Sequence, residues 1–332
     1  MSYDIDFATI ERVAPEVRRR VRRTRLVRSA WLSEVRGGEV LLKCEHEQLT
    51  GSFKVRGPFA KLAENRPKRV VAASAGNHGM GLAHAAREHG IPCTIYVPRT
   101  VPAVKEEKIR ALGAELVKAP FDSFDPTEEY ARARSEGALW VSPFDDPDII
   151  AGNGGTTAME IFEDAGAVDA VVVPCGGGGL ANGAGVAARR LAPGAAVIGV
   201  NSEASPGMWL SRRDGRAHLR VDSKPTIAEG IEGGVSETTY RLGLRFIDDV
   251  IVVPESTIAR AVVEMRRREG MTIEGSAAAA VAAILEGLVP PDRKRIVVVL
   301  TGGNIDPGRL QDLESKAGVK SPKGVRHGGP GA

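Results

Sequence analysis

Lys54 stands in the run Thr50-Gly51-Ser52-Phe53-Lys54-Val55-Arg56-Gly57. A lysine amine can condense with an aldehyde and, once another amine displaces it, serve as a base. Most lysines are solvated surface charges, so Lys54 alone carries little weight. Three further runs change that: Ser74-Ala75-Gly76-Asn77-His78-Gly79, the tetrad Gly176 to Gly179, and Thr301-Gly302-Gly303-Asn304. Four consecutive glycines let backbone N–H groups close on an anion without Cβ clashes, and a helix starting near Leu180 adds its positive end, so a phosphate dianion fits there. The tetrad lacks the G-x-G-x-x-G spacing of dinucleotide sites. Ser74, Gly76 and Asn77 precede a helical pattern and offer a hydroxyl, an amide and free N–H groups to a carboxylate or ring oxygen; capping the helix from His78 is the plainer role of the same residues. His78, His84 and His89 do not fall on one helix face, which excludes them as a metal set.

These loops need a scaffold, and the sequence supplies one. The chain has 332 residues, 42% of them hydrophobic, enough for a large core and about two domains. Its 45 basic and 42 acidic residues leave a net charge of +3, too near balance for a nucleic-acid partner; the Arg18 to Arg23 cluster reads as a solvated helix. The three cysteines, Cys44, Cys93 and Cys175, are widely spaced and border apolar runs, as small buried thiols do in a reducing, cytoplasmic setting. Neither a signal peptide nor a membrane-length apolar run is evident. Short β-branched runs predict strands at 39–44, 69–73, 93–97, 114–117, 138–141, 169–173, 197–200, 250–253 and 295–300, and longer patterns predict helices at 78–89, 102–112, 126–136, 179–191, 256–268 and 276–288. Alternating units with continuous apolar strands give an α/β fold of mostly parallel sheets with helices on both faces. The expected division is a large domain, 1–56 with 149–313, and a small mobile domain, 57–148, followed by a disordered tail, 314–332. The three special runs each follow a strand, where α/β sheets gather ligands.

Together, and in this order, the four motifs resemble the fold type II pyridoxal phosphate enzymes, a two-domain, tryptophan synthase β-like family, and within it the threonine/serine dehydratase and serine racemase branch. The resemblance spans roughly residues 15–310. It implies that Lys54 carries pyridoxal 5'-phosphate and is a catalytic residue, with Phe53 packing beside the ring. Ser74, also implied as catalytic, joins Ala75, Gly76, Asn77 and His78 in binding the substrate carboxylate, and Asn77 reaches the cofactor's phenolic oxygen. Gly176, Gly177, Gly178, Gly179 and Leu180 are the implied phosphate cradle, Thr301 the hydroxyl facing the pyridine nitrogen, and Glu274 a glutamate of the cleft. Glu203 aligns with a metal-ligating glutamate of some relatives, which makes a divalent cation a candidate, although the expected acidic partner is missing from Gly207-Met208-Trp209.

Motif details separate the relatives. Val55 after the lysine, and Ala75-Gly76-Asn77-His78, side with dehydratases over threonine and cysteine synthases. Racemases of the branch carry a serine where this chain has Ala75, and alanine has no proton to give. The implied activity is β-elimination of a hydroxy amino acid such as L-threonine or L-serine to a 2-oxo acid and ammonia, by a homodimer or homotetramer. Racemisation is the alternative within the family, and a catalytically silent cofactor-binding sensor the alternative outside it. Three departures flank the implied cleft: Pro58 after Arg56-Gly57, Glu229 where many dehydratases have Asp, and Ala151-Gly152-Asn153-Gly154-Gly155-Thr156, one residue longer than the family's segment. They leave open other substrates, such as 3-hydroxyaspartate or an ectoine derivative.

Overall fold

The structure, a computed structural model, describes residues 3–64 and 66–318. Among the described residues ten short strands, most of them rich in valine and isoleucine, form two sheets. In the larger sheet β1 (Leu26–Arg28) pairs antiparallel with β2 (Glu39–Lys43). The smaller sheet collects β3 (Val70–Ala73), β4 (Cys93–Pro98), β5 (Glu115–Ala119) and β6 (Leu139–Trp140) in the order β5-β4-β3-β6, all parallel. The chain then returns to the larger sheet through β7 (Ala170–Pro174), β8 (Ala196–Ser202), β9 (Asp249–Val253) and β10 (Arg295–Val299), giving the order β1-β2-β10-β7-β8-β9. All nine expected strands are present. β1, three residues long and reading as an arginine-flanked loop, was not expected.

Alternation of side chains puts Val171, Val173, Val297 and Val299 into one core and Val172, Ile296 and Val298 into the other. Helices Gly179–Leu191 and Glu237–Phe246 cover the first face, and Glu255–Glu264 and the alanine-rich Gly275–Leu285 the second. Both faces being covered is why the strands read as continuous apolar runs. The disorder expected from 314 does not hold for its first residues: Asp306 caps Pro307–Lys316, Leu310 is buried, and Glu314 pairs with Arg266 at 2.9 Å. Residues 319–332 of the tail lie outside the described residues. Among the described residues no helix is long and apolar enough to cross a membrane. Cys44, Cys93 and Cys175 are free and buried, and burial pushes each thiol up to about 12.

One cluster of charges lies wholly inside the protein. Arg56 donates to Glu45 at 2.8 and 2.7 Å and to Glu160 at 2.8 and 2.9 Å, and Lys43 donates to Glu160 at 2.6 Å and to the Thr24 carbonyl at 2.9 Å. None of these four side chains is more than 1% exposed. Burial alone would raise the Glu45 carboxyl; Arg56 and Lys43 instead hold it below the ordinary glutamate range. Glu160→Gln leaves two buried cations facing one carboxylate, and the expected loss of stability is about 3–5 kcal/mol in urea unfolding. Asp122→Ala, which removes the exposed partner of Arg99, is the comparison expected to leave the transition unmoved.

Candidate active site

Lys54 lies in a single 3-10 turn, Phe53–Val55, that runs directly into the helix Arg56–Glu64. Ser52 bridges to Gly302, and the Phe53 N–H donates to the Thr301 carbonyl at 3.1 Å, so the lysine segment is stitched onto the loop after β10. β2, β10 and β7 are neighbours in the larger sheet, and the segments after them carry Lys54, Thr301 and Gly176–Gly179 respectively. From the smaller sheet, Ser74–Asn77 follows β3 and Pro143–Phe144 follows β6. Every one of these loops leaves the carboxyl end of its strand, the edge where open α/β sheets place ligands.

Contacts across the cleft bring the loops together. Lys54 Nζ donates to the Pro143 carbonyl at 2.8 Å and lies 5.3 Å from the centre of the Phe53 ring. The neighbouring Phe144 packs against the glycine tetrad so closely that a Cβ on Gly177 would fall 2.5 Å from its ring. Gly178 sits at φ +89, a conformation that favours glycine, and starts the helix Gly179–Leu191. The N–H groups of Gly176, Gly177 and Gly178 have no acceptor in the backbone network of the described residues. They are free to hold an anion at the positive end of that helix, with Leu180 buried beneath.

The loop Ser74–Asn77 is half-buried and opens the helix Asn77–His89. That helix presses on the lysine backbone: a Cβ on Gly81 would lie 2.8 Å from the Lys54 carbonyl oxygen. Sequence reasoning passed over Gly81, whose only signal is a glycine inside a helical run. Ser74 Oγ accepts from the Gly76 N–H at 3.3 Å, while Ala75 brings only a methyl group. Asn77 Nδ2 donates to Glu274 at 2.7 Å, and Asn77 Oδ1 accepts from Asn304 at 2.8 Å. Asn304, quoted in its motif but given no role, thus orients the asparagine that the resemblance assigns to the cofactor. His78 contacts the Val141 carbonyl at 3.0 Å through Nε2; burial and the nearby Lys54 bring its imidazole down to about 3, so it is neutral.

Glu274 caps Gly275–Leu285, and its N–H donates to the Gly302 carbonyl at 3.0 Å; burial raises its carboxyl above the ordinary value. Burial lowers the Lys54 ammonium to about 8, with Glu274 opposing the shift. The Thr301 hydroxyl, in a residue 3% exposed, and the buried Ser52 hydroxyl have no hydrogen-bond partner among the described residues. A buried hydroxyl without a partner is costly unless a ligand supplies one. An amine, a bare hydroxyl and an anion cradle around one cleft fit a phosphorylated pyridine aldehyde. Glu203 is elsewhere: its carboxylate accepts from the Glu255 N–H at 2.9 Å, at the start of Glu255–Glu264, and no group of three His, Cys, Asp or Glu suited to a metal occurs among the described residues.

Residues 17–302 match the family model described as pyridoxal-phosphate dependent enzyme. Over 312 residues the chain is 44% identical to an L-threonine ammonia-lyase of Thermotoga maritima, covering 92% of this chain and 77% of that one. It is 37% identical over 322 residues to a catabolic L-threonine dehydratase of Staphylococcus aureus, covering 93% and 92%. Among solved structures, threonine deaminase isoform 2 from Solanum lycopersicum superposes with a TM-score of 0.87 at 29% identity, covering 96% of this chain and 91% of that one. Serine racemase from Dictyostelium discoideum gives 0.84 at 29%, covering 91% and 99%.

In cofactor-free protein the rate at which Lys54 captures pyridoxal phosphate is expected to rise with pH through about 8 and then level off, because only the neutral amine attacks. Stopped-flow absorbance across a pH series measures this, and a midpoint at the ordinary lysine value would contradict the burial argument.

Proposed function

The chain belongs to the pyridoxal-phosphate dependent enzyme family, and from that premise we propose that it eliminates water from L-threonine or L-serine, releasing a 2-oxo acid and ammonia. What carries the reading is the meeting of Lys54, the partnerless Thr301 hydroxyl and the glycine tetrad around one cleft. The names of the relatives at 44% and 37% identity support the hydroxy amino acid as substrate class.

When bound, pyridoxal phosphate supplies an electron-withdrawing ring that acidifies the substrate's α-proton. Gly176 to Gly179 would hold its phosphate, Thr301 its ring nitrogen, Asn77 its phenolic oxygen, and Phe53 would pack beside the ring. Thr301, offering a hydroxyl in place of a carboxylate, would leave that nitrogen largely uncharged. Lys54 Nζ takes the α-proton: burial lowers its ammonium to about 8, which enlarges the share of neutral amine that can act as a base. Ser74, Gly76 and Asn77, at the start of Asn77–His89, hold the substrate carboxylate with hydroxyl, amide and N–H groups at the positive end of the helix. Ala75 supports elimination over racemisation, since no acid stands there to return a proton to the face opposite Lys54. The ion pairs Lys105–Glu229, at 2.8 Å, and Arg220–Glu129, at 2.6 Å, join the smaller-sheet segment to the larger and support a cleft that closes over its substrate. Three free, buried thiols support a reducing, cytoplasmic setting.

Lys54→Ala is expected to reduce ammonia release from L-threonine and L-serine to background, and sustained wild-type turnover by that variant would remove the lysine from its role. Ala75→Ser is expected to raise racemisation of L-serine relative to ammonia release, read by chiral chromatography. An unchanged ratio would show that position 75 does not set the outcome.

A further inference from the structure

The glycine-rich segment Ala151-Gly152-Asn153-Gly154-Gly155-Thr156 adopts an unusual backbone. Pro147–Ile150 and Thr156–Ala165 are two parts of one helix, and between them Ala151–Gly155 makes a π-turn, closed by the Thr156 N–H reaching back five residues to the Ala151 carbonyl. A π-turn holds one residue more than an α-turn and is rare unless something retains it. Here the wall of the turn is fully buried, and threonine hydroxyls take up displaced carbonyls: Thr156 donates to Gly152 at 2.5 Å and Thr157 to Asn153 at 2.7 Å.

What the turn presents is Asn153, 2% exposed, whose Oδ1 accepts from the Gly57 N–H at 2.7 Å. Gly57 is in the first turn of the lysine helix Arg56–Glu64, where N–H groups have no partner within the helix. The packing is too close for any side chain on Gly57, since a Cβ there would fall 2.8 Å from the Asn153 amide. On its other side the same π-turn touches the helix that begins at the glycine tetrad. A Cβ on Gly154 would fall 2.2 Å from the Leu180 carbonyl oxygen, and one on Gly183 would fall 2.3 Å from that of Ile150. One inserted turn therefore lies in backbone contact with both the element that carries Lys54 and the element that begins the phosphate cradle.

We propose that Asn153, presented by this π-turn, is a positioning residue that fixes the separation of Lys54 from the glycine cradle. The bond to Gly57 sets where the lysine helix starts, while the contacts of Gly154 and Gly183 keep the cradle in place independently of it. Loss of the Asn153 acceptor frees the lysine side of the site and leaves the phosphate side intact. This goes beyond the assignment of substrate and rests only on the cofactor reading.

The test compares two ligands on full-length protein stripped of cofactor: pyridoxal phosphate, which uses cradle and lysine, and pyridoxine phosphate, which has no aldehyde and uses the cradle alone. In Asn153→Ala, affinity for pyridoxal phosphate is expected to fall about tenfold, as loss of one buried hydrogen bond allows, with pyridoxine phosphate bound as in the wild type. Asn153→Ser, which keeps an acceptor, is expected to recover most of the loss. Should the alanine variant fail to fold, Asn153→Leu fills the same space without an acceptor and carries the same comparison. Equal weakening of both ligands, unchanged affinity for both, or no recovery with serine would overturn the proposal. A wild-type protein that binds neither ligand would overturn it together with the cofactor reading.

Discussion

The arrangement depends on the burial of Arg56. Its guanidinium spans two carboxylates, Glu45 and Glu160, and Lys43 completes a cluster in which two positive and two negative groups are almost wholly removed from water. Desolvating four charges is expensive, and the mutual attraction in the interior roughly offsets that expense only when geometry is tight and every donor is used. The benefit is therefore placement. Glu45 comes from the turn after β2, Glu160 from the helix Thr156–Ala165, and Lys43 from β2 itself. Arg56 can satisfy both carboxylates in one position of the backbone, and Lys54 is two residues away. The Lys54 backbone is thus placed two residues from these ion pairs and packed by the helix that Gly81 allows to touch its carbonyl.

A cleft built this way separates its tasks. The larger sheet contributes the amine, the bare hydroxyl and the anion cradle from three neighbouring strands, so their spacing is inherited from the rigid β2-β10-β7 ladder. The smaller sheet contributes the Ser74–Asn77 loop and the Pro143 carbonyl that receives Lys54. Burial tunes the groups in opposite senses: it lowers the lysine, raises Glu274 and keeps His78 neutral. Each shift moves a group toward its uncharged form, and only for Lys54, at about 8, does this bring the group within range of neutral pH.

Much of this was legible in the sequence because it is local. Continuous valine runs mark strands covered on both faces, and the glycine tetrad and Ser74–Asn77 mark turns into helices; those runs became the strands and loops expected of them. β1 escaped because three residues beside arginines carry no periodicity. The helices Phe7–Arg20 and Glu237–Phe246 went unread although Ile10, Val13, Ala14 and Val17 recur at helical spacing, and of the Arg18 to Arg23 cluster read as a helix only Arg18 to Arg20 are helical. The buried cluster was illegible for a different reason. Lys43, Glu45, Arg56 and Glu160 look like ordinary surface charges until residues up to 117 positions apart in the chain are brought together. The same holds for Asn153, whose partner Gly57 lies 96 positions away.

Lys54, among all the lysines of the chain, is the one expected to carry the cofactor on its amine. Reducing the cofactor-loaded protein with borohydride makes the bond permanent, and peptide mapping by mass spectrometry then locates the phosphopyridoxyl group. The account requires that group on the peptide containing Ser52-Phe53-Lys54-Val55. Stoichiometric label on any other lysine would contradict it.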